Sequence, residues 1–122
     1  MTLVELYDAM GGDYEQACKV LRIEKLIDKH IRKFPTNGIF DGFLEAAENK
    51  DTDKLFESSH AIKGVCANLG LTNISELASE VCEEFRPGKN RRKSDEEILS
   101  KVKEILRLRS LAIEKINIYA GN

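Results

Sequence analysis

The chain has no tryptophan, two prolines, three cysteines and two histidines in 122 residues. Cys18, Cys66 and Cys82 are odd in number and far apart, so they form no disulfide framework and no Cys-x-x-Cys site for zinc or redox chemistry. They read as small core residues, because free cysteine is among the most buried residue types. No apolar run approaches the roughly 20 residues of a membrane span. The first six residues lack the basic start and apolar core of a secretion signal, which makes the cytoplasm the expected compartment. Neither sign of charge dominates: 19 Lys and Arg against 21 Asp and Glu leave a net charge of −2, without the basic face that general nucleic-acid binding needs. No stretch alternates with period two, so no sheet is expected. There is no internal repeat and no low-complexity segment.

What is present is helical patterning in one domain's length of chain, 1–122, with 42% apolar and 33% charged residues. Such a length buries roughly two-thirds of its unfolded surface without staples. A short helix over 2–10 has Leu3, Leu6, Tyr7 and Met10 on one side and ends at Gly11-Gly12. Asp13, with Gln16 three residues on, caps a second piece over 14–21. A break of undetermined kind, turn or kink, falls at Arg22. The 23–34 segment is amphipathic, with Ile23, Leu26, Ile27, Ile31 and Phe34 as its stripe, and Pro35 stops it. A helix over 38–49 follows, with Ile39, Phe40, Phe43, Leu44 and Ala47 inward. Asp51 or Thr52 caps a helix over 52–70 that ends at a left-handed Gly70. The 73–85 helix buries Ile74, Leu77, Ala78, Val81, Cys82 and Phe85. A basic connection, 86–93, leads to a Ser94/Glu97 capping box and a last helix over 95–119. Short connections favour antiparallel neighbours, and 23–34, 38–49, 52–70 and 73–86 can form an up-down-up-down bundle, a count that the last helix complicates.

The most informative stretch is Ser59-His60-Ala61-Ile62-Lys63-Gly64-Val65-Cys66-Ala67-Asn68-Leu69-Gly70. Leu55, Ser59, Ile62, Cys66 and Leu69 form its inward stripe. His60, Lys63, Gly64 and Ala67 share a second face, at i, i+3, i+4 and i+7. Gly64 costs about 1 kcal/mol relative to alanine in mid-helix. A helix that tolerates this either packs closely on another helix there or lets a partner approach.

The run His60-Ala61-Ile62-Lys63-Gly64, followed by Ala67 and Gly70, resembles the signature of the histidine phosphotransfer (HPt) domain. The flanks 44–51, Leu77-Ala78 and Glu83-Glu84 are also similar, so the likeness extends from about Met10 to the end. The resemblance implies an all-α fold: an antiparallel four-helix bundle that includes the last helix, with additional short N-terminal helices over one end. It implies that His60 is the phospho-acceptor. Gly64 and Ala67 leave the helix surface open for a docking partner, and Phe56, one turn before His60, either contacts that partner or packs at the rim of the core. That partner is a response-regulator receiver domain or a histidine kinase, and a receiver's aspartate and Mg²⁺ supply electrophilic stabilisation. Family members often carry a polar residue on the next helix that bonds the other ring nitrogen. The corresponding position here is near Cys82, a poor partner, with Ser79, Glu83 or water as substitutes.

The chemistry is coherent on its own terms. A phosphoryl acceptor needs a neutral imidazole nitrogen with a free lone pair, and histidine is the side chain suited to offer one near pH 7. Lys63, one turn on, can pair with phosphoryl oxygens after transfer. No Gly-x-x-x-x-Gly-Lys-Ser/Thr or Gly-x-Gly-x-x-Gly loop is present, so the expected role is a carrier between donor and acceptor, not an ATP-using enzyme. No cofactor or metal is expected. The rival reading is a helical module that docks a receiver or kinase without taking phosphate. Metal-dependent hydrolysis is weaker, since there is no His-Glu-x-x-His motif. His30 reads as a surface residue, the 86–93 run as a solvated loop or accessory docking surface, and the expected state is a monomer.

Overall fold

The computed structural model describes residues 1–121; Asn122, the end of the expected domain, lies outside the described residues. Among the described residues the elements are α1 (Leu3–Met10), α2 (Tyr14–Leu21), α3 (Glu24–Lys33), single 3₁₀ turns at Phe34–Thr36 and Gly38–Phe40, then α4 (Phe43–Glu48), α5 (Thr52–Asn68), α6 (Thr72–Glu84) and α7 (Asp95–Ala120), with no strand. The ends follow local chemistry. The Thr2 hydroxyl accepts from the Glu5 amide while the Glu5 carboxylate accepts from the Thr2 amide. Asp13, Asp51 and Ser94 each accept from the amide three residues on, at the starts of α2, α5 and α7.

The end of α5 is a Schellman motif. Leu71 N–H donates to the Cys66 carbonyl and Gly70 N–H to that of Ala67, with Gly70 at φ +74°. The turn is also closed sterically. A side chain at Gly70 would overlap the Asp13 carbonyl and crowd Ala17. The reversal lays α6 back along α5: Ser75 Oγ donates to the Lys63 carbonyl, and further along, Cys82 reaches His60. Pairing of Glu84 with Lys93 and of Glu80 with Lys101 sets α7 antiparallel to α6. Lys50, just after α4, meets Asp95 at the start of α7, so that pair is antiparallel too.

The bundle is therefore α4, α5, α6 and α7; it includes the last helix, as the family resemblance implies, whereas the sequence does not choose the other three. The grouping that began with 23–34 is corrected. Helix α3 packs on α2 and touches the end of α7, where Tyr119 Oη donates to Asp28 and Arg32 lies over the Tyr119 ring. Ile27, Ile31 and the adjoining Phe34 are buried, but Ile23 is 54% and Leu26 36% exposed, because only one edge of α3 meets the rest of the molecule. The expected 38–49 helix is also corrected. Asn37 accepts from Ile39 N–H and closes a tight turn; Asp41 is extended and Gly42 has φ +75°, so the α-helix begins only at Phe43. The break at Arg22 is a γ-turn: φ is +68° and Ile23 N–H donates to the Leu21 carbonyl.

The inward stripe of α5 holds, with Leu55, Ser59, Ile62, Cys66 and Leu69 all buried. They meet Ile74, Ala78, Val81 and Cys82 of α6 and Val102 and Ile105 of α7 in one core. Each fully buried aliphatic side chain there contributes about 1.5–3 kcal/mol over its exposed state. Cys18, half-buried, and Cys66 and Cys82, buried, are all unpaired, and burial pushes the Cys66 thiol up to about 12. Helices α1 and α2 lie over the α5–α6 turn, where Tyr7 Oη donates to the Leu69 carbonyl at 2.6 Å and Asn73 Nδ2 to that of Met10 at 3.0 Å. No helix among the described residues is long and apolar enough to cross a membrane.

Candidate functional site

His60 stands midway along α5, on the side opposite Ile62 and Cys66, and is exposed. Three features hold its ring. Phe56, one turn earlier and half-buried, stacks on it with centroids 5.8 Å apart and planes 23° apart. On the α6 side the Cys82 sulfur lies 3.9 Å from Nδ1. The helix backbone beneath is fixed to α6 by the Ser75 bond to the Lys63 carbonyl. Since Nδ1 faces Cys82, Nε2 is on the outer side of the ring. A free lone pair on Nε2 requires the proton on Nδ1, where sulfur can accept it weakly.

Lys63 is half-buried one turn further on, with no carboxylate in ion-pair range among the described residues. Gly64 is exposed, and a methyl group added to it would meet nothing within 4 Å. That excludes a close helix–helix contact as the reason for the glycine and leaves an open surface around Nε2. Ala67 is half-buried on the same face. The structure thus brings His60, Lys63, Gly64, Ala67 and Phe56 onto one side of one helix.

Of the three side chains considered for the second ring nitrogen, Cys82 is the one in reach. Glu83 is engaged elsewhere: Arg86 and Lys89 both hydrogen-bond its carboxylate and hold it down to about 2. The same carboxylate helps fold the basic 86–93 connection back on α6. Glu84 accepts from the Arg92 and Lys93 amides, and Arg91 pairs with Asp95. Much of that run's charge is internally compensated, which favours the solvated-loop reading over docking. The Ser75–Lys63 lock was not anticipated, because a lone serine three residues into a helix carries no signal of its own. Glu57 and His60 do have Glu-x-x-His spacing, but among the described residues no three His, Cys, Asp or Glu side chains gather to hold a metal.

The family model of the Hpt domain matches residues 20–112, and the chain belongs to that family. Hpt domains are phosphocarrier modules that serve histidine phosphotransfer in two-component phosphorelays, where they meet receiver domains and kinases. The match begins near the end of α2, so α1 and most of α2 precede it. Comparison with curated proteins and with solved structures gave no match.

Proposed function

We propose that this chain acts as one 1–122 domain, a cytoplasmic monomer, that carries a phosphoryl group on His60 between a kinase or receiver aspartate and a receiver domain. The observation that carries the reading is the exposed imidazole with Nε2 outward beside the open surface at Gly64. The Nε2 lone pair attacks the phosphorus of an aspartyl phosphate. The bond from phosphorus to the carboxylate oxygen breaks, and the phosphoryl group is left on Nε2 with the Nδ1 proton in place. Transfer to the next aspartate is the same step reversed. Lys63 pairs with the phosphoryl oxygens in transit, and Gly64, Ala67 and Phe56 form the surface on which the partner sits.

The test is transfer from purified kinases and from receiver domains phosphorylated with acetyl phosphate. An acid-labile, base-stable label that is absent from His60→Gln is expected. Full labelling of that variant would remove His60 from the role. Tight binding of a receiver with no label at all would favour the docking module instead.

A further inference from the structure

We propose that the cleft where α2 and α3 meet α5 is a binding site for a small molecule with an apolar body and one carboxylate. The site is independent of the phosphotransfer reading above.

The cleft has a volume of about 320 Å³ and an apolar floor of Leu21, Phe34, Val65 and Leu69. Phe34 and Leu69 are buried in the core, so the floor is anchored. Small-molecule sites have volumes of about 300–1,000 Å³ and combine an apolar lining with a few polar groups that orient the ligand. The polar groups here are His30, Lys33, Asn37 and Asn68. No carboxylate lines the cleft, and Lys33 has none in ion-pair range among the described residues, whereas its neighbour Arg32 is held by Asp28. Asn37 Oδ1 accepts from Ile39 N–H, which leaves its Nδ2 as a donor.

The class of ligand follows from that balance. Lys33 brings a full positive charge and three donors, and Asn37 a further donor. A carboxylate answers both, a cation would be repelled, and a neutral group forgoes the stronger charge-assisted bond. His30 and Lys33 stand in the last turn of α3, where the helix carbonyls favour positive charge. Those carbonyls amount to about half an elementary charge, so Lys33 keeps a net attraction for an anion. At the end of α5 the Cys66, Ala67 and Leu69 carbonyls accept from Leu71, Gly70 and Tyr7.

The cleft is turned away from the imidazole. At 3.6 residues per turn, Val65, Asn68 and Leu69 stand roughly 80° to 180° round α5 from His60. A ligand in the cleft and a protein seated at His60 can therefore be held at once, which gives the chain an input separate from the phosphoryl group.

The test titrates the full chain with two carboxylates of different shape, naphthoate and octanoate, and follows its amide and methyl resonances. Saturable shifts at cleft residues, Val65 and Leu69 among them, are expected with at least one. The matching alcohols, naphthalenemethanol and octanol, should bind about three- to tenfold more weakly. Lys33→Met should weaken the carboxylate by a similar factor and leave the alcohol unchanged, and Asn68→Trp, which fills the mouth, should weaken both. Both positions are exposed, so folding is retained, and circular dichroism checks it. No saturable shift with either carboxylate at millimolar concentration, shifts confined to other parts of the chain, or equal affinity for acid and alcohol would overturn the site. So would a Lys33→Met variant that melts lower yet binds the carboxylate as before, since Lys33 would then serve only the end of its helix. None of these outcomes bears on His60, whose labelling by receivers or by phosphoramidate, a small phosphoryl donor, is read separately.

Discussion

The Cys82 sulfur lies 3.9 Å from His60 Nδ1, at the point where the ring of the candidate acceptor meets the neighbouring helix. A thiol is a weak partner, so the ring's orientation depends as much on stacking with Phe56 as on this contact. Cys82→Ala should slow transfer several-fold while leaving labelling detectable, and Cys82→Ser should retain more activity than alanine. The nitrogen resonances of the imidazole give the check. They should report less of the Nδ1–H tautomer in the alanine variant, a change that a purely structural role for Cys82 would not produce.

Substitutions at Gly64 separate stability from the proposed docking. A methyl group there meets nothing, so Gly64→Ala should stabilise the protein by about 1 kcal/mol through helix propensity, seen as a higher melting temperature. Gly64→Gln should also fold well, yet lose most receiver-dependent transfer while phosphoramidate still labels His60. If the glutamine variant accepts phosphate from receivers at the normal rate, the surface at Gly64 is not where partners sit.

Tyr7→Phe removes the buried hydrogen bond to the Leu69 carbonyl. A loss of about 1–2 kcal/mol is expected, because the carbonyl stays buried without its donor. Burial also pushes the Tyr7 phenol above its ordinary value of 10. The unfolded chain ionises this group first as pH rises, so its contribution is complete below about pH 10 and declines above it. Thermal unfolding at neutral and alkaline pH measures both effects, and the alkaline decline should shrink in Tyr7→Phe.

The Glu83 carboxylate is held down to about 2 by hydrogen bonds from Arg86 and Lys89. The sign follows from that depression. The tether is complete above the ordinary glutamate value of 4.5 and is lost as pH falls through about 2. Amide exchange of 86–93 should therefore stay slow at pH 4. Glu83→Gln should speed it at neutral pH with little change in melting temperature, since the pair is solvent-exposed.

The parts of the fold that could be read from sequence are those where one local rule acts alone. Leu55, Ile62 and Cys66 recur at helical spacing and are buried, and Asp13, Asp51 and Ser94 cap where side-chain oxygens precede apolar periodicity. The 38–49 segment failed because Asn37 and Gly42 impose turns within a run whose apolar pattern alone suits a helix. Ile23 and Leu26 failed because periodicity names an apolar edge without saying whether a partner helix covers it. At the site, the shared face of His60, Lys63, Gly64 and Ala67 was readable from spacing. The cleft lined by Leu21, Lys33 and Val65 was not, since these residues, from α2, α3 and α5, come together only in three dimensions.

The clasp at the α5–α6 turn bears on how such a carrier changes over time. Asp51 fixes one end of the 17-residue helix, and the Schellman turn under α1 and α2 fixes the other. The exposed residues between them make few demands on the core. If partners sit on that face, as proposed, substitutions there redirect the protein to a new correspondent while its framework stays as it is. A duplicated copy would thus need only surface changes to leave one signalling circuit and join another.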